Sequence, residues 1–265
     1  MTGALTLYHA PPSTCSQKVR LVLAEKGLAY QSQIVDLFSG GQHDPEYVKL
    51  NPNHVVPTLV HDGRAIIESM LICEYLEDAF PEIALMPQHA VDRHAVRLWT
   101  QYVDRVHSHA AVLTFAVGPR KMIVAQGPAA IETNVASVHG KKGQTARRIA
   151  LEQGVASLLF GEALSAFIAM LDRMEDRLQS SLWLANDSFT LADTAALPYV
   201  LRLDHLSMTP LIEARPKVAD WLARVAARPS YGPAITDFLV PPLVAMLKAN
   251  GTEVWPEIAA LIKAA

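Results

Sequence analysis

Apolar positions along roughly the first eighty residues switch between a two-residue and a 3.6-residue period, the mark of a sheet with crossover helices. Leu5-Thr-Leu-Tyr-His9 alternates as a strand, and Pro11 and Pro12 stop it. From Ser16 the stripe Val19, Val22 and Leu23, with Leu28 beyond Gly27, predicts a helix that Gly27 ends. A second strand is predicted over Gln33 to Asp36, before the turn-rich Ser39-Gly-Gly-Gln42. Glu46 to Leu50 reads as a short helix ending at Asn51-Pro52. Pro57-Thr-Leu-Val60 and Ala65-Ile-Ile67 read as a hairpin around Asp62-Gly63. A helix over Ser69 to Phe80 completes the order βαβ, helix, ββ, helix, which is the thioredoxin topology.

After Pro81 strand signals fade, Pro87 closes a linker, and long helical periods begin at Val91. The expected fold class is therefore an α+β thioredoxin-like N-terminal domain over residues 1–82, followed by an all-α C-terminal domain over 91–265. Helices are predicted over Asp92 to Phe115, Arg147 to Gln179, Leu191 to Asp204, Lys217 to Ala227 and Pro242 to Ala249. Gly118 to Gln144, with glycines and the basic pairs Arg120-Lys121 and Lys141-Lys142, reads as a partly irregular segment, a candidate mobile cover.

Composition narrows the partners. Of 265 residues 51% are hydrophobic and the formal net charge is −3, so no strong field recruits nucleic acid or an anionic membrane, and a small partner fits better. The two cysteines, Cys15 and Cys73, form no C-x-x-C pair, which argues against a disulfide scaffold or a structural zinc and fits a reducing cytoplasm. The opening MTGALTLYHAPP lacks the layout of a secretory signal. The apolar stretch Val155 to Leu171, interrupted by Glu162 and Ser165, is too short to span a bilayer. His94, His107 and His109 share one predicted helix, but the last two are two residues apart and face different sides, so no metal site is expected.

The candidate chemistry begins at Pro12-Ser-Thr-Cys-Ser-Gln-Lys-Val-Arg20, where the first strand meets the first helix. Unbonded amides and the positive end of the helix dipole favour an anion there, and a thiolate is one. Lowering a thiol pKa of about 8.5 by about 1.5 units needs roughly 2 kcal/mol of preferential thiolate binding. A hydrogen bond to a charged group contributes roughly 1.5–3 kcal/mol and the helix end up to about 1 kcal/mol, so Ser13 or Ser16 is enough without a histidine base. The plainer reading of Ser13, Thr14 and Ser16 is helix capping. Cys15, with its own pKa depressed in that turn, is a candidate for sulfur attack or a mixed disulfide, or else a small buried residue. Cys73 falls with Met70, Leu76 and Phe80 in an apolar helical pattern.

Two further signals follow. At His54-Val-Val-Pro57 the local pattern favours a trans proline opening an edge strand. A cis Val56-Pro57 bond would instead turn the backbone of Val56 outward to pair with a peptide-like ligand. At Glu68-Ser69, a serine at a helix start can hold a carboxylate while the glutamate pairs an ammonium, the two charges of an α-amino acid head.

Together these segments resemble the glutathione-binding half of cytosolic glutathione transferases, and the likeness covers nearly the whole chain. It implies glutathione as co-substrate, the Ser/Cys turn for its thiol, Val56 and Pro57 for the cysteinyl backbone, and Glu68 with Ser69 for the γ-glutamyl head. It places Gln42, Asn53 and His54 toward the glycyl carboxylate. Thr190-Leu-Ala-Asp193 resembles the folding motif of that superfamily and reads as a capping box. The run Glu68 to Glu82, followed by Arg97 to Asp104, is similar to bacterial β-etherases, in which the activating serine falls at Ser16 and asparagine precedes it where this chain has Cys15. Ser13-Thr-Cys-Ser16 with Val55-Val-Pro-Thr-Leu59 is equally similar to glutathione-dependent reductive dehalogenases of chlorinated hydroquinones, whose catalytic pair matches Ser13 and Cys15 but whose pattern Glu68 leaves.

Pro12, Trp99, Tyr102, Val106 and Phe115 are the candidate lining of an acceptor pocket between the domains, for a small hydrophobic, aromatic electrophile; aromatic residues at helical spacing also fit plain core. A homodimer is implied by the resemblance. Three functions remain open at this point: a conjugating transferase, a Cys15-dependent dehalogenase or thiol transferase, and a non-catalytic binding protein of the same fold.

Overall fold

The computed structural model describes residues 3–264. Its sheet has four strands, β1 (Leu5–His9), β2 (Gln31–Ile34), β3 (Thr58–His61) and β4 (Arg64–Ile66), in the order β2-β1-β3-β4. β1 runs parallel to β2 and antiparallel to β3, which pairs antiparallel with β4. The intervening helices α1 (Thr14–Glu25), α2 (Pro45–Leu50) and α3 (Ser69–Ala79) complete the thioredoxin-like topology read from the sequence.

The alternation in β1 sends Leu5, Leu7 and His9 inward. Leu7, Val19, Leu21, Val22, Leu23, Leu59, Ile72 and Leu76 are fully buried and form the core on which α1 and α3 lie. At the far end of α1, Lys26 Nζ meets Glu77 at 2.6 Å and donates to the carbonyls of Phe80 and Ile83. Glu77 in turn accepts from the amides of Leu85 and Met86, both at 3.0 Å, so this buried pair is fully satisfied.

The remainder is helical: α4 (Ala90–Val117), α5 (Arg120–Ala125), α6 (Pro128–Ala136), α7 (Lys141–Gln153), α8 (Leu158–Leu178), α9 (Leu191–His205), α10 (Thr209–Glu213), α11 (Pro216–Ala226), α12 (Tyr231–Ala234) and α13 (Pro241–Ala264). Residues divide into two compact units. One takes the described part of 1–100 with 181–198 and 223–240, and the other takes 101–180, 199–222 and the described part of 241–265. In the second, Phe160, Phe167, Met170, Leu171 and Met174 of α8 are fully buried, and Phe167 meets Tyr199 edge-on at 6.3 Å.

Three expectations are corrected here. The segment 118–144 is helical rather than irregular: Gly127 and Gly140, at φ 91° and 82°, separate α5, α6 and α7. The single helix expected over 147–179 breaks at Gly154 (φ 59°) and restarts at the Ser157 N-cap after an 83° bend. The last helix runs to Ala264, through Gly251 and Pro256. No single helix among the described residues is long and apolar enough to cross a membrane.

Candidate active site

The strand register gathers the three motif segments at one end of the sheet. Tyr8 pairs with Thr58 and Leu59 with Ile66, so the turn leaving β1, the entry to β3 and the exit from β4 are neighbours. Ala10 and Val56 share a buried apolar cluster with Val35 and Tyr47.

At the β1–α1 turn, Ser13 is the N-cap: its Oγ accepts from the Ser16 amide at 3.2 Å. That bond uses one lone pair and leaves the O–H to donate, on a residue that is only partly buried. Cys15, also half-buried, sits in the same first turn. Ser16 differs: it is fully buried, and its Oγ accepts from the Ala10 amide at 3.3 Å, which makes it a brace of the turn. One turn on, the Gln17 carboxamide oxygen is buried without a hydrogen-bond partner.

The Val56–Pro57 peptide is cis, where the local sequence pattern alone favoured trans. The loop before it is braced from below. Tyr47 Oη donates to the Val55 carbonyl at 2.6 Å, Asn51 Nδ2 donates to the same oxygen at 2.9 Å, and Thr58 Oγ1 lies within 3.1 Å of both donors. His54 holds φ 56° and Glu68 φ 69°, left-handed backbone that costs a non-glycine residue about 1–3 kcal/mol and that Asp62 (φ 49°) and Ser207 (φ 54°) also adopt. Asn53 Nδ2 donates to Glu68 Oε1 at 3.1 Å, which ties that loop to the start of α3. Ser69 is the first helical residue and is buried; the cap position falls on Glu68, whose side chain makes no capping bond. Gln42 is buried, its Nε2 is 3.1 Å from His43 Nε2, and His43 Nδ1 is 3.1 Å from His54 Nδ1. The carboxamide oxygen of Gln42 lacks a protein partner, an acceptor for a ligand N–H or a water.

The acceptor candidates separate. Trp99 and Val106 are buried core positions, while Pro12, Tyr102 and Phe115 are half-buried. Tyr102 lies under the Arg173 guanidinium at 4.5 Å, and Arg147 covers the ring of Phe115 at 3.1 Å while donating to Asn134 Oδ1. Among the described residues no group of three or more His, Cys, Asp or Glu is arranged to hold a metal ion.

Sequence reasoning missed His9 and Arg20. Both are buried, at 0% and 1% exposure, directly behind the turn. The available signal was a charged residue at position 20 inside the apolar stripe of α1.

A thioredoxin-like sheet with a hydroxyl and a thiol at the first helix start, followed among the described residues by helices, defines a glutathione-transferase architecture, and comparison with known proteins agrees. Residues 12–79 match the family model "Glutathione S-transferase, N-terminal domain" and residues 129–224 the corresponding C-terminal domain. The crystal structure of β-etherase LigF from Sphingobium sp. strain SYK-6 is 30% identical with a TM-score of 0.77, the alignment covering 90% of this chain and 98% of that one. Tetrachloro-p-hydroquinone reductive dehalogenase from Sphingobium chlorophenolicum is 28% identical over 238 residues, 86% of this chain and 94% of the relative. Glutathione S-transferase TCHQD of Arabidopsis thaliana is 28% identical over 235 residues, 86% of this chain and 88% of the relative. The chain belongs to the glutathione S-transferase family, as an enzyme with glutathione as its co-substrate. Both branches resembled by the motifs, etherase and dehalogenase, recur among these relatives.

Proposed function

We propose that Ser13 activates the thiol of bound glutathione for attack on a small aromatic electrophile; β-aryl ether cleavage fits this scheme with Ser13 in the role that a serine at position 16 holds in the etherases the chain resembles. The carrying observation is the contrast within one turn: Ser13 is only partly buried and its O–H is not used in the Ser16 bond, whereas Ser16 is fully buried with its hydroxyl bonded to the Ala10 amide. In this reading Val56 and Pro57 present backbone to the cysteinyl unit, Glu68 and Ser69 hold the γ-glutamyl head, and Gln42, Asn53 and His54 meet the glycyl carboxylate. The domain 1–82 binds glutathione and 91–265 supplies acceptor contacts, with Tyr102 and Phe115 as its half-buried rings. The thiol proton leaves to solvent, the thiolate forms a C–S bond at the ether carbon, and the C–O bond breaks with its electron pair leaving on the aryloxide, which water protonates. Holding the two reactants in place supplies much of the rate. A cytoplasmic homodimer serving aromatic catabolism or detoxification belongs to the same reading.

The half-buried Cys15 favours a second reading, reductive dehalogenation or thiol transfer. There, glutathione displaces halide from a ring, Cys15 thiolate attacks the sulfur of that adduct, the C–S bond breaks with its pair staying on the protonated ring, and a second glutathione releases the mixed disulfide as oxidised glutathione.

Ultraviolet difference titration of bound glutathione in Ser13→Ala, Cys15→Ser and Ser16→Ala tests both readings. Loss of one hydrogen bond to the thiolate is worth about 1.5–3 kcal/mol, so Ser13→Ala is expected to raise the bound thiol pKa by about 1–2 units. An unchanged titration in that variant refutes the assignment. Loss of turnover in Cys15→Ser alone selects the second reading.

A further inference from the structure

Arg20 is almost wholly buried, and every group it touches is neutral or aromatic. Its Nε donates to the Ala234 carbonyl at 2.7 Å, Nη1 to the Ala10 carbonyl at 3.3 Å, and Nη2 to the Pro11 carbonyl at 3.2 Å. Nη1 also lies 3.1 Å from His9 Nδ1, and the guanidinium stacks on Phe238 at 4.4 Å. A guanidinium only donates, so His9 Nδ1 accepts. A neutral His9 then carries its proton on Nε2 and gives it to Ser32 Oγ, 2.8 Å away. The titratable groups facing Arg20 are His9 and Tyr30, and among the described residues no carboxylate compensates its charge.

Burial lowers the Arg20 pKa to about 10, which leaves it cationic at neutral pH. A buried cation without a counter-ion is costly to desolvate, and here three carbonyls and the stack on Phe238 offset part of that cost. Here its fork closes on the two carbonyls that precede Pro12 and Ser13, and the Ala10 carbonyl also accepts the Ser13 amide at 3.2 Å. The other end of the fork holds the segment between α12 and Phe238, so one side chain joins a late stretch of sequence to the turn.

We propose that Arg20 is a positioning residue for thiol activation: it clamps the β1–α1 turn so that the Ser13 hydroxyl and first-turn amides face the glutathione sulfur, and its unpaired charge adds to the field favouring a thiolate. This rests on the reading of Ser13 given above. Phe238 and Ala234 complete the clamp from the far side.

The test uses full-length Arg20→Lys, Arg20→Met and Phe238→Leu, with reduced glutathione as probe. Thiolate difference spectra against pH, calorimetric glutathione affinity, thermal melts and turnover of an activated chloronitrobenzene are measured for each. Arg20→Met is expected to move the pH midpoint of thiolate formation up by about one unit, a tenfold loss of thiolate below that midpoint, with glutathione affinity at low pH within about threefold of wild type. Arg20→Lys keeps the charge without the fork and recovers less than half of the shift, and Phe238→Leu shows a smaller shift of the same sign. If Arg20→Met does not fold, Arg20→Lys and Phe238→Leu decide by the same readout. Lower melting temperatures with wild-type midpoints in the folded variants make Arg20 merely structural and overturn the proposal. A wild-type midpoint equal to that of glutathione in water removes the Ser13 reading and the clamp together, and shows before any variant is made.

Discussion

Asp193 is the position whose loss the structure prices most directly. It is fully buried in the first turn of α9, and its carboxylate accepts from the Leu184 amide (3.0 Å), the Thr190 amide (3.0 Å) and the Thr190 hydroxyl (3.3 Å). Thr190 Oγ1 accepts in return from the Ala192 amide at 3.3 Å. Asp193→Ala strands two backbone N–H groups where water does not reach, each costing about 1–3 kcal/mol, and removes the charge-assisted part of both bonds. The expected loss is about 3–5 kcal/mol. Asp193→Asn keeps one acceptor and turns an NH2 toward the other amide, so it loses about half as much. In urea, with a slope of at least about 3 kcal/mol per molar for a chain of this size, Asp193→Ala lowers the unfolding midpoint by about 1–1.5 M and Asp193→Asn by about half that. Glutathione affinity of the folded fraction stays at the wild-type value, because the carboxylate is committed to the chain. A midpoint shift below about 0.3 M for Asp193→Ala would falsify this account of the motif.

Acid stability follows from His9 and His205, both held down to about 4 by burial together with Arg20 and Arg202 respectively. The unfolded chain takes up these protons first, near 6.5, so stability is full above that pH and declines as pH falls from about 6.5 to about 4, by roughly 2 kcal/mol per histidine after allowance for partial solvent screening. His9→Gln is expected to flatten its share of the decline between pH 7.5 and pH 5, about 1–2 kcal/mol, in urea midpoints at the two pH values; an unaltered slope refutes the assignment. At Gly251 an added Cβ would overlap the Leu206 carbonyl. Gly251→Ala is therefore expected to cost about 1–3 kcal/mol, despite alanine's better helix propensity, and a thermal melt at or above wild type would contradict the packing.

The N-terminal half was legible because its apolar periods are clean and its turns carry proline and glycine. Its boundaries moved for local reasons. α1 starts at Thr14 rather than Ser16 because Ser13 takes the cap. β2 spans Gln31–Ile34 rather than 33–36 because ladder pairing of Thr6 with Gln31 sets its start, in a strand too exposed for apolar pattern to report. The helical half read less well. Gly127 and Gly140 punctuate helices where glycine content alone indicates irregular chain, and Gly251 and Pro256 sit inside α13 where they ordinarily mark an end. Of the candidate site, the three motif segments were visible, whereas which hydroxyl the fold seals, Ser13 or Ser16, is not recorded in a linear sequence. Arg20 and His9 were hidden for a related reason: their partners are backbone carbonyls and Ser32, which no spacing rule connects.

The bracing of the 51–58 loop by Tyr47 and Asn51 bears on the proposed seat of the tripeptide's backbone. Two independent donors converge on the Val55 carbonyl, and Thr58 locks both in place, so this stretch of main chain holds a single shape before any visitor arrives. If the proposed site is right, ordering that elsewhere accompanies docking is supplied here by folding, which lowers the entropy cost of capture.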